Sequence, residues 1–266
     1  MAACGIGFIQ WLSDGGFLPA AGRVLDFGNS ALLGATPDDV RALLTRHGTN
    51  LQGDALTAAC ARLSGLSAPD GPPFSFALPL ADLFASTRVA CTGVPLTDGL
   101  PVGEAGTYDL VMNFGGTAGA WDQSAAFAAL HDWCRPGGWM FHQVPATGHL
   151  GQGFVCYQPT LFAELAKANA YEVAAVWYSG PLSAGCVLDL AGRWPTVGEA
   201  DRPCNDVEGF RRNPIPDSVL NVLLRKTAAA EFRPATPPHP LPVKPWLMYR
   251  AARQAFRAVV GPKKTR

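Results

Sequence analysis

Long apolar runs are missing from this sequence of 266 residues. A membrane-spanning helix needs about 20 consecutive apolar residues, and no stretch approaches that length. An excess of one charge is missing too, because 21 basic residues balance 21 acidic ones and only 16% of the residues are charged. A neutral chain has no long-range field that would attract nucleic acid. We therefore expect a soluble protein that does not bind nucleic acid.

Paired cysteines are also missing. The chain has no CxxC motif and no Cys/His pair at the spacing of metal ligands. Its seven cysteines are dispersed: Cys4, Cys60, Cys91, Cys134, Cys156, Cys186 and Cys204. The start, MAACGIGFIQWLSDGG, has no basic segment and reaches Asp14 early, unlike an export signal. These features predict reduced thiols, a cytoplasmic location and no metal site.

Short apolar runs alternate with helical patterns along most of the chain. The runs typical of buried strands are RVLDFG, YDLVMNFGG, WMFHQV, YEVAAVW and a late one, SVLNVLLRKT. A short helix is expected over the apolar stretch at 5–13, before the first of these runs. Further helical patterns lie between the runs, for example at 36–48, which begins with a hydroxyl residue, a proline and two acids, and at 159–170. This alternation predicts βαβ units and a mostly parallel sheet.

The last part of the chain differs in composition. We expect one domain over residues 1–231, a Pro-rich linker at 232–245 and a basic helix and tail at 246–266. Arg250, Arg253 and Arg257 share one face of that helix. The helix could contact an anionic membrane surface or a partner protein, or it could dock on its own domain with solvated arginines.

Ligands of open parallel sheets bind beyond the carboxyl ends of the strands, where the strand order reverses. That rule selects three segments for the candidate site, at 26–34, 91–98 and 113–116. A glycine directly after the first strand, Gly28, lets the backbone approach a ligand closely.

The order of these segments resembles a known family. RVLDFG is similar to the first-strand motif of class I S-adenosylmethionine-dependent methyltransferases, and YDLVMNFGG is similar to their fourth-strand motif. CRPGGWMF is similar to the turn and fifth strand that follow, and the resemblance spans about residues 5–230. It implies a Rossmann-like three-layer αβα sandwich with a mostly parallel seven-stranded sheet. It also implies S-adenosylmethionine as the cofactor.

The resemblance implies roles for particular residues. Asp26 and Gly28 would lie against the methionine end of the cofactor, and Asp98 would meet the adenine amino group. Asn113, Phe114 and Gly115 would lie beneath the sulfonium. The complete cofactor-binding set is Asp26, Phe27, Gly28, Asn29, Cys91, Asp98, Asn113, Phe114 and Gly115.

The sequence departs from the family pattern at several positions. Ser30 stands where the first turn usually has a second glycine, and 90–92, Ala-Cys-Thr, occupy the place expected for the acid that holds the ribose. Ala118 and Gly119 stand where an acid and a histidine are expected, and Gln152 stands where a further histidine is expected.

Each candidate carboxylate, amide or thiol also has a structural explanation. Asp26 could cap nearby backbone amides at the end of its strand, and Asn113 and Asp98 could be turn residues. Cys91 could be a small buried hydrophobe.

Two histidines are candidates for a catalytic base. His142 lies in a strand close to the expected site, and His149 lies in a glycine-flanked loop. Both could instead be satisfied groups of the core or its rim.

Two functions are consistent with these features. The first is S-adenosylmethionine-dependent methyl transfer to a small-molecule or glycan-like acceptor. The second is a binding or scaffold protein that keeps the methyltransferase fold without a working cofactor site, which the departures at Ser30, Ala90, Ala118 and Gly119 favour. A nicotinamide dehydrogenase fits less well, because LDFGNSALLG lacks the three-glycine spacing.

Overall fold

The computed structural model describes nine segments of the chain. They are residues 3–28, 30–33, 37–47, 78–85, 87–94, 104–147, 153–179, 186–189 and 218–236. The chain divides into two compact units, Met1–Thr236 and Pro237–Arg266. The described residues all belong to the first unit.

The elements alternate between strands and helices, as the sequence predicts. The strands are β1 Ala3–Gly5, β2 Gly22–Phe27, β3 Ala31–Leu33, β4 Leu78–Pro79, β5 Val89–Val94, β6 Tyr108–Phe114, β7 Cys134–Thr147, β8 Glu172–Ser179, β9 Cys186–Asp189 and β10 Ser218–Arg225. The helices are α1 Ile6–Asp14, α2 Pro37–Arg46, α3 Leu80–Phe84, α4 Gln123–Trp133 and α5 Pro159–Asn169, with a 3-10 turn at Gly116–Gly119.

Seven strands form the central sheet in the order β5-β2-β6-β7-β10-β8-β9. The pairs from β5 to β7 are parallel, and the pairs from β7 to β9 are antiparallel. Five strands therefore run in one direction, while β10 and β9 run in the other. The predicted seven-stranded, mostly parallel sheet is confirmed.

Helices cover both faces of this sheet. Successive strand residues point to opposite sides, so the strands present apolar side chains to the helices on each face. On one face, Val111 and Met140 pack with Phe127 of α4 and Phe162 of α5. On the other face, the second core cluster joins sheet residues with α1, α2 and α3: Phe8, Ile9, Leu12, Leu43, Leu44, Leu80, Leu83, Leu110, Met112, Phe141 and Trp177. The three-layer αβα sandwich is thus confirmed.

Aromatic side chains fix α1 against the sheet. The ring of Trp11 lies 4.7 Å from that of Trp177 and 6.1 Å from that of Phe141, measured between centroids. Burial of one such side chain stabilises the folded state by about 1.5–3 kcal/mol. The apolar stretch at 5–13 was predicted to be a short helix, and α1 confirms it.

A small second sheet lies next to the first turn. Its strands are ordered β1-β3-β4, with β1 parallel and β4 antiparallel to β3. Nothing in the sequence patterns predicted β3, which begins only a few residues after β2 ends. The chain therefore forms a short strand, β3, before it enters α2. Its pairing with β1 and β4 places a second sheet next to the first turn.

The compact unit extends to Thr236 rather than ending at the predicted residue 231. Residues 226–236, here called the C-terminal strap, follow β10 and return to α4 and α5. Phe232 packs against the first core cluster, and Arg233 exchanges two hydrogen bonds of 2.8 Å with Asn169. These contacts are the physical reason why the beginning of the predicted linker belongs to the domain.

No helix among the described segments is long and apolar enough to cross a membrane. The predicted basic helix and tail at 246–266 lie outside the described residues, so their contact with a membrane surface or a partner protein stays a prediction.

Candidate functional site

The candidate site is the carboxyl edge of the sheet between β2 and β6. The chain places β5 on one side of β2 and β6 on the other, so the strand order reverses at this point. A crevice at such a reversal is the usual ligand position of open α/β sheets. Asp26 and Gly28 close one strand, and Asn113 and Gly115 close the other, so the structure brings these four predicted residues to one edge.

Glycine is required on both sides of the crevice. Gly28 has φ +112° and Gly115 has φ +78°, a region that other residues adopt only with strain. Among the described residues, the nearest atom to a Cβ built at Gly115 is the Gln143 carbonyl oxygen at 4.0 Å, so these residues leave space beside it. At Gly116 a Cβ atom would lie 2.4 Å from the carbonyl oxygen of Phe27, so the 3-10 turn approaches β2 closely.

Asp26 is fully buried at this edge. Its two carboxylate oxygens accept hydrogen bonds from Ser30, at 2.5 Å from the backbone N–H and 2.6 Å from the hydroxyl. Burial raises the pKa of Asp26 to about 6, against the opposing effect of these two hydrogen bonds. The side chain is therefore ionised at neutral pH, and no Lys, Arg or His of the described chain forms an ion pair with it.

Two thiols lie close to this carboxylate. Burial raises the pKa of Cys4 and of Cys91, and the negative charge of Asp26 raises both further. Cys91 is partly buried and packs against the second core cluster, as a small hydrophobic residue does. A direct contact between Cys91 and a cofactor stays a prediction.

Ser30 explains one departure from the family pattern. The residue that replaces the second glycine holds the carboxylate of Asp26, and its own carbonyl accepts the backbone N–H of Leu80 at 3.2 Å. The capping role considered for Asp26 is present in the structure, since its oxygens bind a backbone amide and a hydroxyl. A cofactor role for Asp26 stays a prediction beside it.

The absence of an acid at 90–92, the second departure from the family pattern, came from an incorrect strand boundary. Sequence reasoning placed the end of the second large strand at 90–92, but β5 continues to Val94. The strand reaches this far because the Val94 carbonyl accepts the N–H of Gly28 at 2.8 Å, while Ala90 pairs with Arg23 near the other edge. The absence of an acid at Ala90 therefore says nothing about the carboxyl edge. In the sequence, the first acid after Val94 is Asp98.

Asn113 ends β6 and organises the turn that follows. Its side-chain oxygen accepts the N–H of Thr117 at 3.1 Å, and its amide nitrogen donates to the Thr117 hydroxyl at 2.9 Å. The same nitrogen lies 3.2 Å from Nδ1 of His142, which acts as the acceptor. These bonds match the turn role considered for Asn113, and its contribution to a cofactor site stays a prediction.

His142 is a residue of β7, and its side chain packs against α4 and α5. Its side chain is buried, and its ring lies 5.7 Å from that of Phe127 and 5.2 Å from that of Phe162. Burial lowers the pKa of His142 to about 3, so the imidazole is neutral at physiological pH. These surroundings are those of a structural histidine, and a catalytic role for it stays a prediction.

Phe27 and Phe114 directly precede the two glycines of the crevice in the sequence, but their side chains pack into the core. Phe27 lies 5.8 Å from Trp133 in the first core cluster, and Phe114 lies 5.5 Å from Phe141 in the second. They support the crevice from opposite faces of the sheet. The predicted residues Asn29, Asp98 and His149, and the departure at Gln152, lie outside the described residues.

Sequence reasoning missed a row of buried polar side chains near the same edge. Asn221 of β10 accepts a hydrogen bond from Gln143 of β7 at 3.3 Å and donates one to the Ser179 hydroxyl of β8 at 2.8 Å. The signal was available, because a single amide interrupts each of the apolar runs WMFHQV and VLNVLL. The row lies beside Gly115, since Gln143 pairs with Phe114.

No protein-family model matches this chain, and no curated protein matches it. Among solved structures, it is similar to the [4+2]-cyclase SpnF, with 14% identity, a TM-score of 0.40 and coverage of 84% of this chain and 81% of that one. It is also similar to geranyl diphosphate methyltransferase in complex with SAM, with 12% identity, a TM-score of 0.41 and coverage of 83% and 85%. A putative sarcosine dimethylglycine methyltransferase from Galdieria sulphuraria gives 14% identity, a TM-score of 0.41 and coverage of 82% and 83%.

The strand order itself defines the class of protein. Parallel strands from β5 to β7, followed by the reversed β10 inserted before β8, give the class I methyltransferase-like fold. The described sheet carries one strand beyond β8, the antiparallel β9. The resemblance noted in the sequence is therefore confirmed at the level of the fold.

Proposed function

We propose that this protein binds S-adenosylmethionine in the crevice between β2 and β6 and methylates a small-molecule acceptor. One observation carries the proposal. The crevice lies at the reversal of strand order and combines space beside Gly115 with a buried carboxylate, Asp26, that has no counter-ion among the described residues.

The charge of Asp26 fits a cationic ligand. A buried carboxylate is costly unless hydrogen bonds and an opposite charge offset its loss of hydration. Ser30 supplies the hydrogen bonds but is neutral. A ligand with an ammonium or sulfonium group would supply the missing positive charge, and both groups occur in S-adenosylmethionine.

The bound cofactor would supply an electrophilic methyl group on its sulfonium. The residues of the chain would position it: Gly28 and Gly115 permit close approach of the backbone, and Asp26 favours the cationic end. Asp98 is the candidate for the adenine end, Asn29 is a further candidate for contact with the cofactor, and His142 and His149 are the candidates for a base. Methyl transfer of this kind depends mainly on holding the acceptor atom in line at attack distance.

A second function has its own supporting observation. Ser30 donates one hydrogen bond to each oxygen of Asp26, so neither oxygen lacks a partner when no ligand is bound. A protein that keeps the methyltransferase fold as a binding scaffold would need nothing more at this position.

Calorimetric titration of the full chain with S-adenosylmethionine distinguishes the two functions. We expect binding at neutral pH, and we expect Asp26→Asn to weaken it by about tenfold, the size of one partly screened charge interaction. Affinity should also fall as the pH drops through about 6, because Asp26 becomes protonated and loses its charge.

Asp109→Asn is the matched control. Asp109 is a partly buried strand carboxylate of β6 that binds Arg135 and the backbone of Arg23, at the opposite end of the strand. Its substitution should leave the affinity unchanged. Absence of binding at millimolar S-adenosylmethionine and S-adenosylhomocysteine would exclude the enzyme and favour the scaffold.

A further inference from the structure

Two large aromatic side chains stand out on the surface near the crevice. Trp121 is 87% exposed and Phe154 is 70% exposed, and they are the large hydrophobic residues that the described surface presents to solvent. Their rings meet edge to face, with centroids 5.9 Å apart and planes at 83°. They come from different segments, one before α4 and one after β7, so the tertiary structure brings them together.

Phe154 is held in place by its backbone. Its N–H donates to the carbonyl of Ala118 at 2.7 Å, and the preceding Gly153 has φ +94°. A Cβ atom at Gly153 would lie 2.9 Å from the same carbonyl, so only glycine permits this approach. The segment that carries Phe154 is therefore attached to the 3-10 turn at Gly116–Gly119.

The segment that carries Trp121 is fixed by a network around Gln123. The Gln123 amide donates to the carbonyls of Thr117 and Ala120 at 2.8 and 2.6 Å, and its oxygen accepts the Tyr157 hydroxyl at 2.6 Å. Tyr157 in turn donates its backbone N–H to Pro145 of β7 at 2.8 Å. The network links both aromatic segments to each other and, through Thr117, to Asn113.

This arrangement attaches both aromatic segments to the turn that follows Gly115, and we take the pair as the rim of the crevice. Only the turn Gly116–Gly119 and Ala120 separate Gly115 from Trp121, and a 3-10 turn rises by about 2 Å per residue. A methyl acceptor must reach the same region, because its reacting atom has to approach the space beside Gly115. The rest of the acceptor would then extend toward Trp121 and Phe154.

The chemistry of the rim selects among possible occupants. Residues 115–127 and 153–160 contain a single charged side chain, Asp122, so the rim offers no cations to an anionic membrane. Two aromatic side chains contribute about 150–250 Å² each, less than the roughly 800 Å² per partner of a stable protein interface. A small planar molecule is the occupant that two rigid, neutral rings fit best, since aromatic rings associate edge to face or by offset stacking.

We propose that Trp121 and Phe154 form the binding platform for the methyl acceptor, and that the acceptor carries a planar aromatic ring. The inference rests on the proposed function for its link to methyl transfer. The platform itself is defined by the preorganised pair of rings, so it can be tested separately from the cofactor.

The test uses naphthol as the aromatic probe and decalol as its saturated counterpart. Affinities for the full chain are measured by ligand-observed NMR, with S-adenosylhomocysteine affinity measured in parallel by calorimetry. We expect naphthol to bind, decalol to bind about tenfold more weakly, and Trp121→Ala and Phe154→Ala each to weaken naphthol by about tenfold. Gln158→Ala is the control, because Gln158 is exposed beside this segment and its side chain makes no capping bond to α5.

The two proposals fail in different ways. Unchanged naphthol affinity in both alanine variants, or equal affinity for naphthol and decalol, would overturn the platform whatever the cofactor result. In a second outcome, Trp121→Ala abolishes self-association or pelleting with phosphatidylserine vesicles but leaves the naphthol affinity unchanged. This result would overturn the aromatic-acceptor platform in favour of another occupant. Absence of S-adenosylhomocysteine binding in the wild type would remove the methyl-transfer function, while a ring-dependent naphthol site would remain. Both alanine variants replace exposed side chains, so their melting temperatures should stay close to that of the wild type.

Discussion

At the residue scale, the polar side chains of the carboxyl edge are satisfied by their own neighbours. Asp26 binds Ser30, Asn113 binds Thr117, and His142 accepts from Asn113. Such bonds fix the backbone of the crevice, because a buried polar group without a partner costs about 1–3 kcal/mol. Gly115 differs from these residues, since the nearest described atom to a Cβ built there is the Gln143 carbonyl oxygen at 4.0 Å.

The burial of His142 predicts a particular dependence of stability on pH. The folded-state pKa of about 3 lies below the ordinary value of 6.5, so the unfolded chain binds more protons between these values. The stabilisation is complete above the unfolded-state pKa and is lost as the pH falls toward the folded-state pKa. We expect the unfolding free energy of the wild type, relative to His142→Gln, to fall by about 2 kcal/mol between pH 7 and pH 5.

Denaturant titrations of both proteins at each pH measure this difference. The comparison with the variant is needed because Asp26, whose pKa is raised, changes the stability in the opposite direction over part of the same range. Since Asp26 is present in both proteins, its contribution cancels. A constant difference across the pH range would contradict the neutral, buried state of His142.

At the scale of elements, the C-terminal strap completes α4. The ammonium group of Lys226 donates to the carbonyls of His131 and Cys134, at 2.7 and 3.0 Å, where the helix ends. His131 itself donates from Nε2 to the Ala230 carbonyl at 2.7 Å, and its Nδ1 accepts the Tyr171 hydroxyl at 2.6 Å. The last carbonyls of a helix have no partners within it, so this lysine replaces the missing donors.

Lys226→Met should therefore destabilise the fold. Methionine preserves much of the apolar stem but leaves two carbonyls without their donor, which costs about 1–3 kcal/mol of unfolding free energy. The loss is measured by chemical denaturation. Lys167→Met is the control, because the Lys167 side chain is 79% exposed and its ion pair with Glu164 is long, at 3.8 Å. That substitution should change stability by no more than about 0.5 kcal/mol, and an equal loss in both variants would refute the capping role.

At the scale of the whole molecule, the first compact unit includes the strap and extends to Thr236. A chain that ends after Thr236 retains the whole first compact unit and serves as the reference. A chain that ends after Glu231 loses the packing of Phe232 and the two hydrogen bonds between Arg233 and Asn169. We expect its melting temperature to be lower by about 5 °C, measured by scanning calorimetry. Equal melting temperatures for the two shortened chains would place the end of the domain at 231 after all.

Much of the fold was predictable because it depends on local patterns. Five strands of the central sheet, β2, β6, β7, β8 and β10, coincide with apolar runs of the sequence, and the predicted helices at 5–13 and 159–170 are close to the observed α1 and α5. The resemblance of RVLDFG and YDLVMNFGG identified the two strands that border the crevice. The end of β5 was missed because it depends on a bond between Gly28 and Val94, which are far apart in the sequence.

The sequence alone determined the fold class of this protein and the segments that meet at its carboxyl edge, since strand periodicity and turn residues are local signals. The tertiary structure decided the environment of each candidate residue. It buried His142 between Phe127 and Phe162, gave Ser30 the role of holding Asp26, and brought Trp121 next to Phe154. Burial, pKa and contact between distant residues depend on packing in three dimensions, and a one-dimensional pattern does not contain that information.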